Sequence, residues 1–275
     1  MPDFLDKFDF LKPLPVQQVA AWYGRLADLM ANKPIQDDID GISRPPLSAT
    51  LLRHYLDNRD PEQTFVFDPP SYLREATEVK EVLAYHRKVF LSEEPAPGGA
   101  VIMGKRYGKI AGLVPRLRGD KGFGKVTPPA LVPLRVESLV EIAGDPDEIK
   151  KLRKSGIVPR MDLFASLRGF QLRSEIMAHV LPSRAQRGFE VRLLLWRCQA
   201  KDVYDFDYDE GLILPNPDFG SRDKGAVAPE EDQILVRHRN AKRIEDAHLA
   251  APYPVESRLW MPLIPSLYLP AEITL

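Results

Sequence analysis

Over the first third of the chain, apolar residues recur every three or four positions. In PVQQVAAWYGRLADLM the set Val16, Val19, Tyr23, Leu26 and Met30 falls on one face of a helix. Pro15 suits the first turn of that helix. In ISRPPLSATLLRHYLDN, Leu47, Leu51, Leu52 and Tyr55 share a second face, and Pro45 and Pro46 mark its start. TFVF at 64–67 predicts a short strand. PPSYLREATEVKEVLAYHRKVF carries the clearest 3.6-residue period, through Leu73, Ala76, Val79, Val82, Leu83 and His86.

The period then shortens to two. GFQLRSEIMAHV (169–180) sets Phe170, Leu172, Ser174, Ile176, Ala178 and Val180 against Gln171, Arg173, Glu175, Met177 and His179. GFEVRLLLWRCQAKDVYDF (188–206) alternates at first and then runs continuously apolar, as a central strand does. LPSRAQRG between them carries turn residues, so the two predict a hairpin. HRNAKRIEDAHLA (238–250) returns to helical character around Ile244 and Leu249, and the last residues read as short extended pieces broken by prolines. The pattern predicts an α+β protein: helices first, then a curved antiparallel sheet.

Composition narrows this only a little. The chain has 275 residues, 44% of them hydrophobic, enough for one large core or two small ones. Its 38 basic and 39 acidic residues give a net charge of −1, without the basic excess of a nucleic-acid binder. The single cysteine, Cys198, allows no internal disulfide and reads as a small buried hydrophobe in a strand. MPDFLDKFDFLKPLP lacks the basic and apolar regions of a secretory signal, and no window reaches 18 uninterrupted apolar residues. The expectation is a chain made in the cytoplasm and not integral to a membrane. The 26 prolines favour many short elements over long helices.

Two segments depart from the average. The stretch 93–125 is rich in glycine and basic residues, Lys105 and Arg106 among them, but it lacks the G-x-x-x-x-G-K-[ST] pattern, because Ile110 follows Lys109. It reads as a solvated insertion, or as a basic apron for anionic headgroups or a phosphorylated substrate. KDVYDFDYDEG (201–211) places five acids in eleven positions, directly after an apolar run. Asp202 and Asp205 fall where the long strand ends, so a turn or bulge would let them converge at the sheet's rim. Paired carboxylates call for a counter-charge: a metal ion, a basic residue or a shared proton. RHRN, with Arg237, His238 and Arg239, is the next basic group in an element of its own. Such a set suits phosphoryl or pyrophosphoryl chemistry, with carboxylates on Mg²⁺, arginine on phosphate and a carboxylate or histidine moving the proton. Composition alone reads the same acids as a solvated turn. Zinc-type His/Cys spacing and the G-x-S-x-G elbow are both absent from the sequence.

DVYDF followed by HR and a short helix resembles the catalytic signature of the colicin M family of bacteriocins. Upstream, the segment from Leu47 through RHYLDN and TFVF to the next helix is similar to that family's HYL helix and its continuation, and LRGFQLRSEIMAHVL resembles the strand leading to its catalytic sheet. The resemblance implies an α+β activity domain over 41–275, built on a half-open β-barrel and preceded by a helical segment at 1–40. It implies a Mg²⁺-dependent phosphodiesterase that cleaves the peptidoglycan precursor lipid II between undecaprenyl and pyrophosphate, in the periplasm of target bacteria. By the same resemblance Asp205 acts at the reacting centre, Asp202 supports the metal or orients Asp205, Tyr204 bonds phosphate or holds the carboxylates, and Arg239, beside His238, binds the pyrophosphate. A cognate immunity protein and a delivery partner are implied as well.

The departures from the family are insertions. In the family the His-Arg pair follows the YDF segment closely, whereas here 207–237 intervenes, so Arg237 or Arg222 is an alternative working arginine. The 93–125 segment has no counterpart. Two other readings compete: a non-catalytic adaptor or immunity-like protein of an antibacterial secretion locus, and another metal-dependent phosphohydrolase.

Overall fold

The computed structural model describes residues 9–36, 41, 43–91, 101–102, 105–106, 113–122, 124–142, 159–182, 189–206, 212–262 and 270–273. In chain order the elements are α1 (Val16–Ala31), β1 (Ile35–Gln36), β2 (Ser43–Arg44), α2 (Leu47–Asp57), β3 (Phe65–Phe67), α3 (Ser71–Glu75), α4 (Thr77–Leu91), β4 (Val101–Ile102), β5 (Lys105–Arg106), α5 (Leu113–Arg118) and β6 (Ala130–Glu141). They continue with α6 (Pro159–Ser166), β7 (Gly169–Pro182), β8 (Phe189–Tyr204), β9 (Leu212–Pro215), β10 (Gln233–Val236), α7 (His238–Asp246), β11 (Tyr253–Ser257) and β12 (Pro270–Ile273). The class is α+β, as the pattern predicts. The main sheet has the order β3-β11-β8-β7-β6, with β12 also paired to β8. Its path ends at β3 and β6, so the sheet is open. The helix predicted across 69–90 is divided at Ala76 into α3 and α4.

The chain forms two compact units. The first comprises Met1–Tyr72, Glu141–Gly169 and Asp202–Glu256. In it α1 packs against α2 and α7, and α2 packs against α6. The apolar faces predicted for α1 and α2 are the ones buried, with Tyr23, Leu26, Leu51 and Tyr55 at 0–1% exposure. Tyr23, Tyr55, Tyr204, Phe206 and Tyr253 form a chain of ring contacts at 5.1–6.0 Å. Three of these contacts are edge-to-face, and such pairs each add about 0.5–1.5 kcal/mol beyond area burial.

The start of α2 depends on a distant residue. Its N-cap is Pro46, which offers no side-chain cap. Asp162, fully buried on α6, takes that role. Its carboxylate accepts the Leu47 N–H at 2.7 Å, the Ser48 N–H at 2.8 Å, the Ser48 hydroxyl at 2.5 Å and the Tyr72 hydroxyl at 2.6 Å. This arrangement satisfies the orphan donors of a helix start and places a carboxylate at the positive end of the helix dipole.

The second unit comprises Leu73–Val140, Phe170–Lys201 and Ser257–Leu275. β7 and β8 pair antiparallel from Gln171↔Lys201 to Pro182↔Phe189, the predicted hairpin. The register shifts between Ile176 and Met177, which leaves Leu195 as the extra residue, at φ 48. On the inward side His86 of α4 is wholly buried, with its ring nitrogens 2.7 Å from the Ser174 hydroxyl and 2.9 Å from that of Ser138. Cys198 is buried in β8, and burial pushes its thiol up to about 12, so it is the inert strand residue the sequence predicts.

Candidate active site

The DVYDF segment is where β8 ends. Tyr204 and Phe206 point inward, at 5% and 7% exposure, and lock the strand end into the aromatic cluster. Asp202 is half-buried and Asp205 is exposed. Both line a cleft of about 170 Å³, together with Tyr204, Ser166 and Arg168. The two carboxylates therefore share one site at the strand's rim.

Burial pushes the Asp202 carboxyl up to about 7, and the nearby Asp205 charge pushes the same way, against a bond accepted from the Val203 N–H at 2.8 Å. Asp205 also helps to raise the hydroxyl of Tyr55 on α2, after burial and the 2.7 Å bond from that hydroxyl to Glu245. A raised carboxyl has a definite effect on stability. The unfolded aspartate gives up its proton near pH 3.9 while the folded one still holds it. Stability from this group is thus full below about pH 4 and lost as pH rises through about 7. Asp202→Asn removes that loss. The gap in melting temperature between variant and wild type should open from pH 4 to 7 and stay flat above about pH 8. Melting curves across this range check it, and a gap independent of pH would exclude a perturbed Asp202.

The described part of the insertion between the acids and His-Arg, 212–236, is a ribbon. β9 and β10 pair antiparallel from Leu212↔Val236 to Pro215↔Gln233, so the chain returns beside its point of departure. The tip is held by Asn216, whose side-chain amide lies 2.8–2.9 Å from the carbonyls of Val227, Ala228 and Glu231. Asp218 accepts the Val227 N–H and a two-pronged Arg25 pair at 2.6 and 2.8 Å. The ribbon delivers His238 to the acid segment, where its Nδ1 hydrogen-bonds the Phe206 carbonyl. A carbonyl only accepts, so Nδ1 carries the proton and Nε2 is the basic nitrogen of the neutral ring.

Arg239 is placed differently. Its Nε and Nη2 bond Oδ2 of buried Asp9 at 3.0 and 2.7 Å, while Asn240 bonds Oδ1 at 2.8 Å. With Arg243 on the carbonyls of Leu11, Lys12 and Leu14, these contacts make α7 a clasp on the 9–14 segment. Arg239 is not among the residues lining the cleft; the cation there is Arg168, which the sequence reading passed over. Arg237 is half-buried just before α7, and Arg222 is exposed in the ribbon's tip. The backbones of Lys105 and Arg106 form β5, but their side chains, most of 93–125 and the acids at 207–210 lie outside the described residues.

Among the described residues no group of three or more His, Cys, Asp or Glu side chains is placed to hold a metal. Two carboxylates on one cleft still suit Mg²⁺, which keeps most of its waters and takes one or two protein carboxylates with substrate phosphates. Among the described residues no helix is long and apolar enough to cross a membrane.

The fold and cleft define an α+β protein with a carboxylate pair at the end of its central strand. No family model matches the chain, and no curated protein matches it. Among solved structures it is similar to PaeM, a colicin M-like bacteriocin produced by Pseudomonas aeruginosa, at 12% identity over 92% of this chain and 69% of that one. The TM-score is 0.25, which does not establish a shared fold.

Proposed function

We infer that this chain is an antibacterial toxin, a Mg²⁺-dependent hydrolase that cleaves lipid II between undecaprenyl and pyrophosphate. The observation that carries the reading is the convergence of Asp202 and Asp205 on one cleft at the end of β8, within the DVYDF segment that resembles the colicin M signature. Asp202 and Asp205 would hold the ion, which when bound neutralises phosphate charge. The protein's own groups handle the protons. Asp205, the more exposed, takes one from the attacking water. His238, once it has taken up a proton at Nε2, gives one to the departing prenyl oxygen. Tyr204 lines the same cleft and anchors the strand end. On this reading the chain acts at the membrane surface of the target periplasm, and a cognate immunity protein and a delivery partner accompany it.

The test is incubation of lipid II with the protein in Mg²⁺ or in EDTA. Undecaprenol should form with Mg²⁺ alone. Undecaprenyl phosphate as product would assign a different phosphohydrolase. One observation favours the non-catalytic adaptor reading: Arg239 is committed to Asp9. Absence of any product would leave that reading standing.

A further inference from the structure

The geometry points to Arg168 as the phosphate-recognition residue of the cleft, a role that Arg239 is not placed to fill. This rests on the phosphoryl-chemistry reading of Asp202 and Asp205. Arg168 stands between the end of α6 and Gly169, the first residue of β7. Its backbone is pinned, because its carbonyl accepts the Ile142 N–H at 2.8 Å. Its guanidinium is steered by Phe164, one helical turn earlier, with the central carbon 5.7 Å from the ring centroid. The side chain is nevertheless exposed, at the lip of the cleft that Asp202 and Asp205 line.

Charge makes the role specific. Two carboxylates alone repel a phosphate, and among the described residues lining the cleft Arg168 is the one cation. Its planar fork matches phosphate oxygens two at a time, which an ammonium does not. Arg239 already spends its Nε–Nη2 edge on Asp9. At about 170 Å³ the cleft is below the roughly 300 Å³ at which whole small-molecule pockets begin. It fits the charged diphosphate head of a ligand whose sugar and lipid parts remain outside.

The experiment is calorimetric titration of inorganic pyrophosphate, with Mg²⁺ present, into wild type, Arg168→Gln and Arg168→Lys, beside lipid II kinetics and melting curves for all three. Arg168→Gln should bind at least about tenfold more weakly, the loss of a charged hydrogen-bond pair. Arg168→Lys should fall between, keeping charge without the fork. The melting temperature of Arg168→Gln should fall only slightly, by the loss of the exposed contact with the Phe164 ring. Equal pyrophosphate affinity in wild type and Arg168→Gln overturns the assignment, as does a wild type that binds no pyrophosphate. Pyrophosphate binding through Arg168 without lipid II turnover would uphold this assignment and sink the lipid II reading. Turnover with kcat/KM unchanged in Arg168→Gln would do the reverse.

Discussion

Asp205→Asn lowers lipid II turnover at least about a hundredfold, the low end for a positioned acid–base group, and leaves the melting temperature unchanged or slightly higher. The substitution preserves size and removes only charge and basicity. Asp205 is exposed at the end of β8, so little packing depends on it. Its charge also raises the proton affinity of Asp202, and removing it relieves that repulsion. Such opposed effects on activity and stability are the pattern of a functional carboxylate. A solvated turn residue would change neither by much. Turnover and melting temperature, measured beside Asp223→Asn in the exposed ribbon tip, decide the matter. Wild-type turnover in Asp205→Asn, or an equal loss in Asp223→Asn, would show that the acids at the rim do not act as a site.

Asp162→Ala should cost at least about 3 kcal/mol of folding stability, without touching the cleft carboxylates. The carboxylate accepts from two backbone N–H groups at the start of α2 and from two hydroxyls, and it is wholly buried. Alanine leaves all four donors in a space that water does not replace at full strength. Each unsatisfied buried group costs about 1–3 kcal/mol, part of which relaxation recovers. Asp162→Asn should lose less, because one oxygen still accepts and the Tyr72 hydroxyl can turn to accept from the new amide. Urea unfolding measures both, as a lower midpoint at unchanged m. A loss in the alanine variant below about 0.5 kcal/mol, the size of a surface change, would mean that α2 starts without this cap.

The contrast between these two aspartates shows what a sequence exposes. The helical faces of α1 and α2 and the β7–β8 hairpin were legible because burial repeats with the period of the element. Asp202 and Asp205 were legible because they follow an apolar run that must end somewhere, and because DVYDF carries a resemblance. β6 was not read as a strand. Val132, Leu134 and Val140 are buried in it, but Pro133 interrupts the pattern, and proline is tolerated there because β6 ends the sheet's path. Asp162 was missed because its partners at α2 are 114 and 115 residues away. The one local hint was a helix opening on Pro46 with no capping side chain of its own. Arg168 was missed because an exposed arginine at a helix–strand junction breaks no pattern. Only the fold sets it beside the acids.

The β9–β10 ribbon separates distance along the chain from distance in space. Its first rung joins Leu212 to Val236, so everything beyond that rung can lengthen or shorten while His238 stays on the Phe206 carbonyl. Loop-closure entropy grows slowly, by about 0.6 kcal/mol for each doubling of length. A search pattern that fixes the spacing between D-x-Y-D-F and H-R therefore passes over chains built this way. A pattern that leaves the spacing free, but requires two short apolar strands with an N-P-D-type turn between the halves, would find them.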